Sequence, residues 1–334
     1  MQTIEFEQPF HVFSASDVRT ALPMEESVKA MKAAYQELSA GGATVPLRTH
    51  IALQQHAADV LVMSCYSPRL KQVGLKIITL HERNVDVGLP YIQATVMVVD
   101  AERGTPLALM SGAVLTAIRT GGGAGAATDV LARSNATRVA LFGSGTQAAT
   151  QLEAMCTVRP IRHAVVFDVD HSRAGRFAER MEAELRIEVA VAATPAAALA
   201  EADIVCTATT AREPVFDDRD VAPGTHINAI GVYKPHEREI PGATVARARV
   251  VVDERSAAWQ EAGELVLARR EGLISESHVH AEIGEILAGV KPGRQADEEI
   301  TLFKSVGVAN QDLAAAHVVL ERGARLGLGA EVGL

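Results

Sequence analysis

The chain is 334 residues long, 48% hydrophobic and 22% charged, which suffices for a large core and excludes a disordered chain. At about 100–200 residues per domain, the length predicts two domains. With 32 Lys and Arg against 41 Asp and Glu, the net charge of −9 excludes a broad electrostatic grip on nucleic acid.

The N-terminus, MQTIEFEQPF, lacks the basic-then-apolar layout of a signal peptide. Next, Leu22, Met24, Val28, Met31, Ala34 and Leu38 recur at helical spacing within residues 13–40, and Gly41 and Gly42 end the pattern. Apolar runs of strand character follow: HIAL, ADVLVMSCYS, VGLKIITL and YIQATVMVVD, separated by the turn-prone SPRLKQ and HERNVDVGLP. A helix followed by a meander of strands predicts an α+β region. GAVLTAIRTGGGAGAATDVLA reads as a helix although Gly121, Gly122, Gly123 and Gly125 each cost about 1 kcal/mol relative to alanine. Two readings of that cost stay open: close helix packing or a hinge, and room for a cofactor phosphate.

From Arg138 the texture changes. RVALFG, AVVFD, IEVAVA, DIVCTAT, HINAIG and RVVVD are strand-like, with helical TQAATQLEAM and SRAGRFAERMEAEL between them. Strands alternating with helices predict a parallel sheet wrapped by crossovers. ATPAAALAEA reads as an ordinary helix and AHVVLERGARLGL as the last one. His278, His280 and Glu282 form H-x-H-x-E, read as the polar start of a helix AEIGEILAG rather than as a metal site. Trp259 is expected on a packing helix and His226 as a structural residue. Cys65, Cys156 and Cys206 are too few and scattered for a disulfide framework or a cysteine zinc site. No apolar run approaches the roughly 18 residues of a membrane span. A soluble cytoplasmic protein with no metal and no nucleic-acid or membrane partner is expected.

The sharpest local signal is GSGTQA, where Gly143, Gly145 and Ala148 fit G-x-G-x-x-A between the strand RVALF and a helix. The first glycine permits a tight turn, the second lets backbone approach a pyrophosphate, and the small third residue brings helix and strand together. The helix N-terminus offers N–H groups to the phosphate. Asp168 ends the next strand, 20 residues after Ala148, where an acid accepts the ribose hydroxyls of NAD. Val169 follows it, so no adjacent cation awaits a 2′-phosphate, and NAD(H) is favoured over NADP(H); Arg173 nearby complicates that preference.

Further stretches, among them GLKIITL, GLPYIQATVMVVDAERGTPLALMSG, AIRTGGGAGAA, HINAIGVYKPHEREI, AEIGEILAGVKPGR and ITLFKSVGVANQDLAAA, carry a resemblance. From about residue 20 to about residue 320 the chain resembles the ornithine cyclodeaminase/mu-crystallin family. The resemblance implies an α/β chain with a Rossmann-type doubly wound parallel-sheet domain over residues 125–305. It also implies an α+β substrate-binding and dimerisation domain formed by 1–124 with 306–334, and a homodimer. Carried over residue by residue, Arg48, Lys76 and Arg119 match the substrate-carboxylate positions. Thr95, Arg119, Thr120, Thr146, Gln147, Thr209, Ile230, Gly231 and Ser305 match cofactor-side positions. Independently of the resemblance, an arginine fork suits a carboxylate. A lysine between apolar neighbours in a strand needs a partner, and its pKa can fall when it is desolvated.

One departure bears on the reaction. Cyclodeaminases of the family carry an Asp in a G-x-D-x-P-G-K pattern, whereas this chain reads Gly231-Val232-Tyr233-Lys234-Pro235-His236-Glu237. Tyr233, with an ordinary pKa of about 10, does not readily take a proton at neutral pH. The continuation through Pro235, Arg238 and Glu239 resembles mu-crystallin and the ketimine reductases. The resemblance therefore implies an NAD(P)H-dependent reductase of small α-imino acids, with Lys76 or Tyr233 relaying the proton. The alternatives are an ornithine or lysine cyclodeaminase using bound NAD, and a non-catalytic mu-crystallin-like binding protein.

Overall fold

A computed structural model describes residues 10–333. The chain divides into two units: one runs up to Arg119 and resumes at Val308, and the other is Thr120–Gly307. No helix among the described residues is long and apolar enough to cross a membrane.

The first unit contains β1 (Phe10–Phe13), β2 (Thr49–Leu53), β3 (Ala58–Ser67), β4 (Gln72–His81), β5 (Ile92–Asp100) and β6 (Pro106–Ser111). Over the described residues these join Ala330–Val332 in a seven-stranded sheet, ordered 330–332, β1, β6, β5, β4, β3, β2. β2 to β6 form an antiparallel meander, of which the turn-separated apolar runs predict β2 to β5, and β1 lies parallel to β6. The expected single helix is two, Ala15–Ala21 and Met24–Ser39. Pro23 breaks them apart, because proline disfavours the helical conformation at Leu22 and can begin a helix but not continue one.

Alternation along β3 and β4 sends Leu61, Met63, Ile78 and Leu80 inward. They form a core with Met31 and Tyr35 of the helix Met24–Ser39 and with Leu313 and Val319 of the helix Ala309–Leu326. At Gly74 the approach is so close that a Cβ would meet Leu313 Cβ at 2.9 Å. The opposite face of the sheet is apolar as well. Ile51, Tyr66 and Ile77 are exposed there, with Val62 and Met97 half-buried beside them.

The second unit contains β7 (Arg138–Phe142), β8 (His163–Phe167), β9 (Glu188–Val191), β10 (Ile204–Thr207), β11 (His226–Ala229), β12 (Arg249–Val252), β13 (Val279–Glu282) and β14 (Thr301–Lys304). Over the described residues they form one parallel sheet, ordered β13, β12, β14, β11, β10, β7, β8, β9. The order reverses at β7, so the β7 and β10 carboxyl ends flank the switch point at which α/β sheets bind ligands.

His278 and His280 lie before the helix, His280 on β13, and of the expected polar helix start only Glu282 holds, as the cap of a helix that is only Ile283–Leu287. Val279 and Ala281 are buried and alternate with His280 and Glu282, a period of two that belongs to a strand. Among the described residues no group of three or more His, Cys, Asp or Glu could hold a metal ion. The glycine-rich helix runs Gly112–Leu131, and packing accounts for Gly121, where a Cβ would lie 2.4 Å from the Thr150 carbonyl oxygen. His226 is fully buried between the Thr128 and Thr301 hydroxyls, and burial lowers its pKa to about 3. It is a neutral structural imidazole.

Candidate active site

In the first unit, β4 carries Lys76 inward, where only 1% of it is exposed. Its partner is Asp312, in the first turn of the helix Ala309–Leu326, with Nζ 2.7 Å from Oδ2. The same carboxylate accepts a 2.9 Å hydrogen bond at Oδ1 from Arg119 Nε. Arg119 Nη1 donates to Gln311 Oε1 at 2.9 Å, and that oxygen also accepts from the Val308 amide. Gln311 Nε2 in turn donates to the Tyr35 hydroxyl. Three ionisable groups thus form a buried cluster with one more positive than negative charge.

Burial pulls the Lys76 pKa down to about 7, Asp312 opposes that shift, and the Arg119 and Arg48 charges reinforce it. Burial opposes ionisation of Asp312, but the Arg119 and Lys76 cations hold its carboxyl below the usual range. A position in the first helical turn also favours that anion. Arg48, half-buried just before β2, is close enough to act on Lys76. A cluster with excess cations and an ammonium that titrates near neutrality can bind a carboxylate and release a proton. Thr95 lies apart from this cluster. It pairs with Ile77, so it faces the exposed side of the sheet, away from Lys76.

In the second unit, GSGTQA forms the turn between β7 and the helix Thr146–Val158. Gly143 has φ +95°, and a Cβ there would lie 2.7 Å from the Ala208 carbonyl oxygen. Only glycine suits that position. Gly145 is exposed, its Cβ position is open, and as N-cap it has no side chain to bond the first helical N–H groups. Those groups are available to an anion. Thr146 is exposed beside it, Ala148 is buried against the sheet, and Gln147 Oε1 is buried without a hydrogen bond among the described residues. The open backbone and the free N–H groups of the helix N-terminus fit a dinucleotide pyrophosphate.

Asp168 follows β8 and is buried. It accepts hydrogen bonds from Ser144 N and Oγ, Asp170 N and Arg173 Nη2. Burial opposes its charge, yet these donors, Arg173 foremost, keep its pKa below the ordinary value.

The loops after β10 and β11 are tied together by Glu239, which sequence reasoning does not single out as a site residue. Its carboxylate accepts from Thr207 Oγ1 at 2.8 Å, Thr209 N and Oγ1 at 2.7 Å, and Gly231 N at 2.8 Å. Burial and the neighbouring Glu264 push its pKa up. Lys304 Nζ donates to the Val232 carbonyl at 2.6 Å and pairs with Glu264 at 3.0 Å. Tyr233 is therefore on a segment braced on either side, half-buried, with Lys234 Nζ 5.8 Å from its ring centre. Ile230 and Gly231 are half-buried on the same segment. Ser305, after β14, donates to Asp253 Oδ2 at 2.8 Å. Asp253 also accepts from the Val306 and Gly307 amides, and burial raises its pKa. Thr120 begins this unit within the glycine-rich helix, half-buried.

Asp312 and Asp253 are site-shaping acids that the sequence does not single out, and Glu239 stands out there only through the continuation Pro235, Arg238 and Glu239. The available signal was an acid inside an otherwise apolar element, as in NQDLAAA, since a buried charge requires a partner.

Residues 10–325 match the sequence profile of the Ornithine cyclodeaminase/mu-crystallin family. A Delta(1)-pyrroline-2-carboxylate reductase of Bacillus cereus is 38% identical over 322 residues, covering 96% of this chain and 99% of that protein. The structure of Thermococcus litoralis Delta(1)-pyrroline-2-carboxylate reductase in complex with NADH and L-proline is 39% identical. It superposes with a TM-score of 0.94 over 96% of this chain and 100% of that one. An archaeal alanine dehydrogenase dimer with bound NAD is 34% identical, with a TM-score of 0.91 over 98% of this chain and 100% of that one.

Proposed function

The chain belongs to the ornithine cyclodeaminase/mu-crystallin family, and on that premise we propose that it is an NAD(P)H-dependent reductase of cyclic α-imino acids of the pyrroline-2-carboxylate type. The reverse reaction is dehydrogenation of the cyclic amino acid. The observation that carries this reading is the buried Lys76, in contact with Asp312 and titrating near neutrality beside Arg119.

Arg48, Lys76 and Arg119 bind the substrate carboxylate. The Lys76 ammonium delivers a proton to the imine nitrogen, with Tyr233 as the second candidate donor. NADH, when bound, supplies the hydride to the imine carbon. The product is the secondary amine, and Lys76 is left as a neutral amine, the form its burial favours. Gly143, Gly145, Thr146, Gln147 and Ala148 hold the pyrophosphate, and Asp168 holds the adenosine ribose. Thr209, Ile230, Gly231 and Ser305 contribute the nicotinamide side, with Arg119 and Thr120; Thr95, on the face of its sheet opposite Lys76, takes no part in it. Tyr233 stands where the family's cyclodeaminases carry their aspartate, which favours reduction over cyclodeamination.

Purified protein is expected to oxidise NADH when given pyrroline-2-carboxylate and to release no ammonia from ornithine plus NAD. Ammonia release without net NADH change would make it a cyclodeaminase; binding of NADH with no turnover of any cyclic imine would make it a binding protein.

The quaternary state we propose is a homodimer formed through the exposed apolar face of the first unit's sheet. A continuous apolar sheet face in water marks an interface, and the related alanine dehydrogenase is a dimer. Ile77, 53% exposed, lies on that face. Ile77→Glu is expected to convert a dimer into monomers in size-exclusion chromatography with light scattering. An unchanged dimer would move the interface elsewhere.

A further inference from the structure

Asp168 after β8 and the glycine turn after β7 set the direction of a dinucleotide across the second unit. With the adenosine half over β8, the other half has to cross the switch point to the loops that leave β10 and β11. The glycine turn touches the first of these loops, since a Cβ on Gly143 would lie 2.7 Å from the Ala208 carbonyl oxygen. Thr209, Ile230 and Gly231 on those loops are half-buried. The Glu239 carboxylate lies behind them, with none of the residue exposed. A Cβ on Gly231 would lie 2.6 Å from both Glu239 oxygens.

The contacts of Glu239 are those of an anion. Oε1 accepts from the Thr209 amide and hydroxyl, and Oε2 from the Gly231 amide and the Thr207 hydroxyl. Amides can only donate. The Thr209 hydroxyl accepts from the Ala211 amide at 3.0 Å, which turns its proton toward Glu239. Three of the four partners thus meet the carboxylate as donors. The charges beside it are Glu264, whose Oε1 accepts from the Glu239 amide at 3.2 Å, and Lys304, which pairs with Glu264. All three side chains are buried from solvent. Lys304 offsets Glu264, so the group keeps one negative charge, and Glu239 presents it to the two loops. Such a charge, away from water, acts over several ångströms.

We propose that Glu239 sets the redox preference of the second unit: its charge behind Thr209 and Gly231 favours the oxidised, cationic nicotinamide over the reduced, neutral one. This rests on the dinucleotide reading above and deepens it. The hydride that passes to the imine carbon carries an electron pair, so the ring it leaves gains one positive charge while the imine nitrogen takes a proton. An anion already in place on that side stabilises the charge as it develops. Tighter binding of NAD⁺ also makes bound NADH the stronger reductant, by about 30 mV for each tenfold. Glu239 acts from behind the loops it ties together, as a positioning residue.

The test is direct binding, read by isothermal titration calorimetry of wild type and Glu239→Gln with NAD⁺, NADH and ADP-ribose. In the variant, the ratio of the NAD⁺ Kd to the NADH Kd is expected to rise about 10–100-fold, as for loss of one unit charge a few ångströms from another inside a protein. ADP-ribose, which has no nicotinamide, is expected to bind both proteins alike. Glu264→Gln removes a neighbouring negative charge and leaves the four contacts of the Glu239 carboxylate in place. It should move the ratio in the same direction by a smaller factor, and it decides the question if Glu239→Gln does not fold. An unchanged ratio in either folded variant, or equal weakening of all three ligands in Glu239→Gln, overturns the inference: Glu239 is then a brace for the loops, and the reductase reading stands. A wild type that binds none of the three overturns that reading instead.

Discussion

Asp312→Ala is expected to lower the unfolding free energy by about 3–5 kcal/mol, measured by denaturant titration, because it leaves buried cations without their anion. The carboxylate stands between Lys76 and Arg119, both almost wholly inaccessible to water. The two cations respond differently. Lys76 can discard its proton, since it titrates near neutrality even with Asp312 present. Arg119 cannot, but it retains Gln311 Oε1 as a partner. The loss is therefore expected at the lower end of the range near pH 7. It should be larger at pH 6, where Lys76 without its anion is forced to charge or the fold must resist the proton. Adding Lys76→Met to Asp312→Asn removes the lysine's charge along with its anion and should recover part of the stability, as exchange of a buried ion pair for apolar packing often does. An Asp312→Ala protein within 1 kcal/mol (roughly the net worth of one ordinary hydrogen bond) of wild type would mean that the cluster is not a tight ion pair.

Lys76→Met is expected to reduce imine turnover by roughly 10²–10⁴-fold, the range for loss of a general acid. The sign of the pH dependence follows from the direction of the shift. The lysine is an ammonium below its pKa of about 7 and a neutral amine above it. Reduction needs the ammonium, so kcat/KM for the imine should fall as pH rises through that region. Amino-acid dehydrogenation needs the neutral amine, so its kcat/KM should rise through the same region. A bound substrate carboxylate places a negative charge beside Lys76 and raises its pKa. The inflection in kcat, which reports the complex, should therefore lie at higher pH than that in kcat/KM, which reports the free enzyme. Stopped assays in both directions across pH 5–9 (about two units either side of the Lys76 value) measure this. Parallel slopes in the two directions, or the same profile in Lys76→Met, would transfer the proton relay to Tyr233.

Much of the architecture is legible in local pattern. Alternation and turn residues mark β2 to β5, because one face of each strand meets a core and the period of a strand is two. Continuous apolar runs mark β7, β8, β10, β11 and β12, because a parallel sheet is covered on both faces. The glycine turn is legible for a stricter reason: Gly143 adopts φ +95° against the Ala208 carbonyl, a place no side chain can occupy. β1 and β6 are not legible, since the first is four residues long and the second opens with a proline. β13 is misread because four residues of alternating burial run directly into a five-residue helix, and the charged positions suit either element.

The sequence by itself determined that a lysine in an apolar strand has to find a partner and that an acid ends β8; the acid within NQDLAAA stands out only once its helix is buried. Only the tertiary structure decided which partners they find. Arg119 and Asp312 are 193 residues apart, and they meet because the helix Ala309–Leu326 packs on the sheet that carries Lys76. Arg173 is five residues from Asp168, yet whether it covers that carboxylate depends on the turn into its helix and on the Ser144 hydroxyl. Periodicity is a property of neighbouring residues, whereas the compensation of a buried charge is a property of whatever packing brings within about 3 Å of it, the distance at which a charged hydrogen bond forms.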